Sequence, residues 1–398
     1  MEKDLLYRLA LIRVPGIGPI HAKALFNYFG EAEAIFRASR AFLEKIRGIG
    51  QQRAASIIAF RDFHAAEEEL AFLERWSIRP LFFTDKSYPV RLLTCPQAPA
   101  LLFYKGNADL NAPKILSVVG TRTPSEYGRR VVEKFISELD IPGLLVVSGL
   151  AYGIDAAAHK SALKHHLPTI GVLAHGLDKV YPQQHAGMAK EMIRQGGLLT
   201  EFCSRTEPDE FNFPVRNRIV AGMSDALLVV ETGCRGGSML TVENARTCGR
   251  KIFAIPGRIT DDRSAGCNLL IREGKALLLS SARQFIQDMQ WEQEQPISKK
   301  SNQQAVIFPQ KSGSGGVAAL SDPAMVPEPS EEEKALPEDE KTVLYLLRQR
   351  GRLIYDEIRL RTAISAAILP LILLNLELQG WIRALPGRTY ISSSPASA

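Results

Sequence analysis

A serine, an aspartate–histidine pair and several arginines stand beside glycines in the middle of this 398-residue chain. Ser148 follows the apolar run Leu144–Val147 and precedes Gly149. A nucleophilic serine on a strand-to-helix elbow needs Gly-x-Ser-x-Gly. Val146 and Leu150 hold the two glycine positions, so that chemistry fails. Asp155 and His159, four apart, share a helix face. A zinc site would need a set such as His-Glu-x-x-His, and none is present. The simpler account makes Asp155 the cap of a helix through Ala156–Ala158, and His159 a packed, hydrogen-bonding side chain. What remains is anion binding. Gly149 and Gly153 lie between a strand and a helix N-terminus, where free N–H groups and the helix dipole favour a phosphate.

Those residues need a scaffold at strand ends. Continuous apolar runs read as strands at Ile115–Val119, Leu144–Val147, Thr169–Leu173, Leu198–Glu201, Ala226–Val230, Ile252–Ile255 and Ala276–Leu279. Helical stretches separate them, at Tyr127–Leu139, Ala156–His165, His185–Gln195, Arg216–Met223, Ser238–Cys248 and Asn268–Arg272. This alternation predicts an α/β domain, a Rossmann-like, doubly wound, mostly parallel sheet covered on both faces, with ligands at the strands' carboxyl ends. It is expected over 81–290, extended at its start by a proline-broken connector with a short strand near Leu101–Tyr104.

The flanks differ. Residues 1–80 read as helical, with Gly16-Ile17-Gly18 and Gly48-Ile49-Gly50 each between two helices. They resemble tandem helix-hairpin-helix units in a SAM-like pair, a resemblance that implies hairpin N–H groups holding a DNA backbone phosphate; the alternative is tight turns in a small helical domain. Residues 291–338 read as a disordered linker rich in Gln, Ser, Gly, Pro and Glu. Residues 339–398 read as three helices and a hairpin around Leu385-Pro386-Gly387-Arg388, a winged helix that could serve DNA or protein.

Loops after the central strands carry Gly120-Thr121-Arg122, the Ser148–Asp155 stretch, Phe213-Pro214-Val215-Arg216-Asn217-Arg218 and Gly237-Ser238. Glycine lets a phosphate approach and arginine can grip it bidentately. With Arg216 starting a helix, two cations would oppose its dipole, which a bound anion would explain. Neither the dinucleotide Gly-x-Gly-x-x-Gly nor a P-loop is present, so no cofactor is expected.

The formal net charge of +6 permits nucleic-acid binding without establishing it. No run approaches the roughly 20 apolar residues of a membrane span, and the N-terminus does not read as a signal peptide. A cytoplasmic protein is expected. Cys95, Cys203, Cys234, Cys248 and Cys267 are odd in number and irregularly spaced, which argues against a disulfide framework.

Taken in order, Gly120-Thr121-Arg122, Ser148-Gly149-Leu150-Ala151-x-Gly153-Ile154-Asp155-x-x-Ala158-His159, Gly176-Leu177-Asp178-x-x-Tyr181-Pro182, Phe213-Pro214-x-Arg216-Asn217-Arg218, Gly237-Ser238-x-x-Thr241 and Pro256-Gly257 closely resemble the DNA-processing protein A (DprA/Smf) family. The resemblance implies a single-stranded DNA-binding protein rather than an enzyme. It implies capture and protection of incoming strands in natural transformation, loading of a RecA-type recombinase, and a homodimer through the Rossmann-like domain. It places a DNA pocket at Gly120, Thr121 and Arg122, walled by Ser148, Gly149 and Gly153, with Arg216, Asn217, Arg218, Gly237 and Ser238 nearby. Phe213 becomes a base-stacking platform, and Asp155 and His159 shape the pocket. Two departures stand out: Gln183-Gln184 follow Pro182 without a basic residue, and Thr121 stands where serine is frequent.

Two other readings stay open. Gly236-Gly237-Ser238-x-x-Thr241-x-Glu243 distantly echoes the Pro-Gly-Gly-x-Gly-Thr-x-x-x-Glu loop of phosphoribohydrolases, which would make the chain a nucleotide-binding enzyme. In the other, the hairpins and winged helix bind duplex DNA while the core only dimerises.

Overall fold

The structure is a computed structural model, and it describes residues 2–291, 336–362, 364, 368–385 and 389–393. The chain divides into two units at 299/300.

The first unit opens with helices α1 (Glu2–Arg13), α2 (Pro19–Phe29), α3 (Ala32–Arg37), α4 (Arg40–Leu43), α5 (Gly50–Ala59) and α6 (Phe63–Arg75). Strands β1 (Arg79–Phe82) and β2 (Leu101–Gly106) follow. The alternating part then runs β3 (Lys114–Gly120), α7 (Glu126–Ser137), β4 (Leu144–Ser148), α8 (Ile154–Lys164), β5 (Thr169–Val172), α9 (Ala186–Gln195) and β6 (Gly197–Thr200). It continues through α10 (Asn212–Gly222), β7 (Ala226–Val230), α11 (Gly237–Thr247), β8 (Lys251–Ala254), α12 (Asp262–Arg272), β9 (Leu277–Leu278) and α13 (Ala282–Met289).

All nine strands form one sheet in the order β1-β2-β6-β5-β4-β3-β7-β8-β9. From β6 to β9 the pairing is parallel, as expected. The short strand expected near Leu101–Tyr104 is β2, and the proline-broken stretch before it also supplies the unexpected β1; both pair antiparallel. Pro80 is tolerated because β1 is an edge strand, where a missing N–H costs no ladder bond. Along β3, Ile115 and Val119 enter one core while Leu116 and Val118 enter the other, so the strand is buried on both faces. Phe82, Leu101 and Phe103 on β1 and β2 join the core of the N-terminal helices, which fixes those helices to the sheet edge.

One cysteine expectation is corrected. Cys95 and Cys248 form a disulfide with Cα atoms 5.0 Å apart. Sequence spacing could not show it, because the pair is 153 residues apart and is brought together by packing.

In the second unit α14 (Glu338–Arg350), β10 (Arg352–Ile354), α15 (Tyr355–Thr362), α16 (Leu369–Leu378), β11 (Ile382–Leu385) and β12 (Thr389–Ser392) form a winged helix. Its sheet, in the order β10-β12-β11, holds one strand more than the expected hairpin. The solvent face of α16 carries Leu371, Leu374 and Leu378 rather than basic side chains. The linker expected at 291–338 falls, between 292 and 335, outside the described residues, as does the wing turn at 386–388. No described helix is long and apolar enough to cross a membrane.

Candidate functional site

The chain runs from β3 outward through β4, β5 and β6, then returns to lay β7 against the other side of β3. The loops after β3 and β7 therefore diverge, and a crevice opens at this switch point. It encloses about 690 Å³. Gly120, Thr121 and Arg122 come from the β3 loop, Gly149 and Asp155 from the β4 side, and Gly237 and Ser238 from the start of α11. Phe213, Arg216 and Asn217 of α10 close it. The α11 N-terminus follows Gly236, which supplies no side-chain cap, so its first N–H groups are available to an anion.

Arg216 is the floor. It is 4 % exposed, and one terminal nitrogen donates to the Gly149 and Val172 carbonyls at the ends of β4 and β5. Its Nε donates to Asn217 Oδ1 at 3.1 Å. Burial lowers its pKa to about 10, nearby Asp155 works against that fall, and Arg122 adds to it. Contrary to expectation, Arg216 and Arg218 do not stand at the start of their helix. α10 begins at Asn212, and Pro214 sits in its first turn, where the missing N–H would have had no helical partner. Arg216 is held by protein carbonyls, with Asp155 as its charge partner.

The glycine walls need the same correction. A Cβ on Gly149 would lie 2.3 Å from Arg216 Nη1, and one on Gly153 would lie 2.2 Å from the Thr121 carbonyl. Gly153 also has φ +83°. The space left by these glycines is filled by the protein's own groups. Gly149 admits the guanidinium, and Gly153 seats the Thr121–Arg122 loop, whose Thr121 carbonyl accepts from Ile154 N at 3.1 Å. Asp155 is not the helix cap. Gly153 occupies that position, and the buried Asp155 carboxylate accepts from Ala151 N at 3.3 Å.

Two other expected residues, Ser148 and Arg218, do not line the cleft. Ser148 is buried beneath the cleft and its hydroxyl donates to the Val118 carbonyl at 2.6 Å. Arg218 turns away to bond the Gln97 carbonyl and Glu201. Burial pushes Glu201 up to about 7 despite that guanidinium. Ser238 Oγ donates to Thr232 Oγ1 at 2.6 Å. Arg122 remains exposed, with its guanidinium 4.7 Å from the Phe213 ring centroid.

His159 lies behind this floor, fully buried. Thr169 Oγ1 donates its proton to the Val146 carbonyl, so the 2.7 Å contact to His159 Nδ1 must be an Nδ1–H donation. Nε2 is then a bare acceptor with no partner among the described residues. Burial first, then the His185 and Arg216 charges, lower the pKa to about 3.

Tyr181 and Thr241, present in the sequence motifs but not named there as pocket residues, also line the cleft, together with Glu210 and Thr232. Tyr181 is 46 % exposed and its ring lies 6.2 Å from that of Phe213. Its place in Gly176-x-x-x-x-Tyr181-Pro182 is a usable signal. Phe211, two residues before Phe213, is 74 % exposed.

The N-terminal hairpins contrast with the cleft. Arg53 Nε donates to the Gly16 carbonyl and Nη1 to the Gly48 carbonyl, both at 3.0 Å, tying the two turns together. Arg47 stays exposed.

Comparison with known proteins bears on all three parts. The family model described as DNA recombination-mediator protein A matches residues 79–290. A SAM-like helix-hairpin-helix tandem matches 9–61 and a DprA winged helix domain matches 327–388. Protein Smf of Synechocystis is 32 % identical over 96 % of this chain and 98 % of its own length. The DNA processing protein DprA of Streptococcus pneumoniae is 45 % identical over 49 % of this chain and 69 % of its own. The X-ray structure of DprA from Streptococcus pneumoniae matches with a TM-score of 0.59 and 34 % identity, covering 71 % of this chain and 97 % of that one.

Proposed function

This chain belongs to the DNA recombination-mediator protein A family, and from that premise we propose that its strand-end cleft binds single-stranded DNA without regard to sequence. The observation that carries this reading is the Arg122–Phe213 stack at the mouth of a cleft lined by glycine loops and an uncapped helix start. A guanidinium beside an exposed helix N-terminus suits a phosphate. Tyr181 offers an exposed flat face to bases beside Phe213, whose ring carries Arg122 at 4.7 Å and Arg216 at 5.9 Å, and such stacking needs bases that are unpaired and splayed. Arg216 shapes this site from beneath, and Gly120, Thr121, Asn217, Gly237 and Ser238 complete its wall.

In the cell the protein holds incoming strands during natural transformation, shields them from nucleases and hands them to a RecA-type recombinase, acting as a homodimer through the sheet domain. It does so as a binding protein and not as an enzyme. The names of its relatives, DNA processing proteins, support the DNA role. Against the phosphoribohydrolase reading, Glu243 pairs with Arg246 at 3.0 Å on the exposed side of α11 and does not line the cleft.

The test is nuclease digestion of a labelled single strand with and without the protein, beside a duplex control. Protection confined to the single strand supports the proposal. Equal protection of both, or free base released from nucleoside monophosphates, overturns it. Recombinase assembly on coated strands, measured with and without this protein, checks the loading step.

A further inference from the structure

Positive charge is unevenly divided around the cleft. Its own charged side chains balance, Arg122 and Arg216 against Asp155 and Glu210. Arg216 is buried besides, so Arg122 alone of the two projects. Beyond Arg122 and Tyr152 lies a groove of about 670 Å³ between α7 and α8. Its charged lining is Arg122, Arg129, Lys160 and Lys164 against Glu133. A further depression of about 840 Å³ between α8 and α9 shares Lys160 and Lys164 and adds Arg194 against Glu191. The three hollows adjoin in one run: Arg122 lines the first two, and Lys160 and Lys164 line the second and third.

Three of the cations in this run, Arg129, Lys160 and Arg194, are available. Lys160 and Lys164 are one turn apart on the same face of α8. Lys164 pairs with Glu133 at 2.9 Å. Arg129, Lys160 and Arg194 are exposed, and none has an ion-pair partner among the described residues. Five cations against Glu133 and Glu191 leave the row net positive, which suits a ligand that carries regularly spaced negative charge.

We infer that this groove is a backbone track, carrying the phosphates of the same DNA strand whose bases occupy the cleft, from Arg122 past Tyr152 along α8 to Arg194. The inference rests on the single-strand reading of the cleft. It divides the work. The cleft offers aromatic faces and N–H donors to one stretch of the strand, and the track neutralises the phosphates of the next. α8 alone, at about 1.5 Å per residue, gives the track about 16 Å. Continuity through Arg122 favours a nucleic acid over an acidic protein segment, because one ligand then satisfies both hollows. The absence of a cation in Tyr181-Pro182-Gln183-Gln184 fits a strand that leaves on the α8 side.

The test uses the full chain as wild type, as Arg122→Ala, and as the double variant Arg129→Gln/Lys160→Gln. Each is titrated by fluorescence anisotropy against oligothymidylates of about 5 and about 30 nucleotides, a range bracketing common single-strand site sizes. The titrations are repeated across salt, and thermal unfolding confirms that the variants are folded. The double variant should bind the short strand like wild type. It should bind the long one about tenfold more weakly at low salt, with a salt slope flatter by about 1.4, near 0.7 for each phosphate that is no longer neutralised. Unchanged long-strand binding in the double variant, with Arg122→Ala weakened, overturns the track and leaves the cleft reading intact. Arg122→Ala equal to wild type on both lengths removes the cleft reading and the track with it. Equal losses by the double variant on both lengths also overturn the track. So does loss of binding to labelled polyglutamate with the oligonucleotides unaffected, which would assign the groove to an acidic protein segment.

Discussion

The paired hairpins at the N-terminus and the cleft at the strand ends are built on a similar plan. Each sets two arginines beside glycine turns. In each, one arginine faces inward and bonds backbone carbonyls: Arg53 to Gly16 and Gly48, Arg216 to Gly149 and Val172. In each, the other projects: Arg47 and Arg122. The difference lies in what surrounds the projecting residue. Arg122 stacks on Phe213 within a cleft that holds an uncapped helix start. No aromatic ring lies against Arg47 among the described residues. An arginine near a glycine loop is therefore not a ligand contact by composition alone. Its inward partners decide whether it builds the site or serves it.

Breaking the inward arginine of the cleft should have the largest effect. Arg216→Ala leaves the buried Asp155 without its cation and two strand-end carbonyls unpaired. Urea unfolding should show a loss of about 3–5 kcal/mol. A loss below about 1 kcal/mol would mean that Arg216 is not the floor described here.

The group behind that floor gives the next largest effect, and it depends on pH. His159 has a folded pKa of about 3 against an ordinary 6.5. Between these values the unfolded chain binds the proton and the folded one does not. Stability is therefore full above about 6.5 and falls with acidification, by up to about 1.4 kcal/mol per pH unit well below that value. His159→Gln should flatten the dependence of the unfolding free energy between pH 6.5 and 5. An unchanged slope would place the titration elsewhere.

The outward arginines separate the two regions. Arg122→Ala should leave stability within about 0.5 kcal/mol, as surface changes do, and weaken single-strand binding about tenfold. Arg47→Ala should weaken it less. Equal losses would make the hairpins equal partners in binding. Arg53→Ala, read by thermal unfolding, should cost about 1 kcal/mol, because its two charge-assisted bonds are partly exposed, and should leave single-strand affinity unchanged.

Much of the scaffold was legible in the sequence because apolar runs and helical spacing are local. Strands β3 to β8 lie within two residues of their expected ends. What was missed depended on position in the sheet or on distant partners. Pro80 looks like a breaker until β1 proves to be an edge. Pro214 looks like a boundary, yet it sits inside the first turn of α10, and that misplaces the start of the helix by four residues. The strand-end loops did identify the cleft through Gly120, Thr121, Arg122, Phe213 and Gly237. Sequence could not show that Arg216 is consumed by carbonyls, that Arg218 turns to Glu201, or that Ser148 lies under the floor. Each of these depends on a partner 17 to 67 residues away.

In the proposed binding mode Arg122 meets the backbone of an unpaired strand. This contact is tested most directly by titrating wild type and Arg122→Ala with an oligothymidylate and with a duplex of equal length, across salt. Wild type should prefer the single strand, and Arg122→Ala should lose about tenfold in that affinity with a salt slope flatter by about 0.7. Superimposable single-strand isotherms for the two proteins, or a wild-type preference for the duplex, would contradict it.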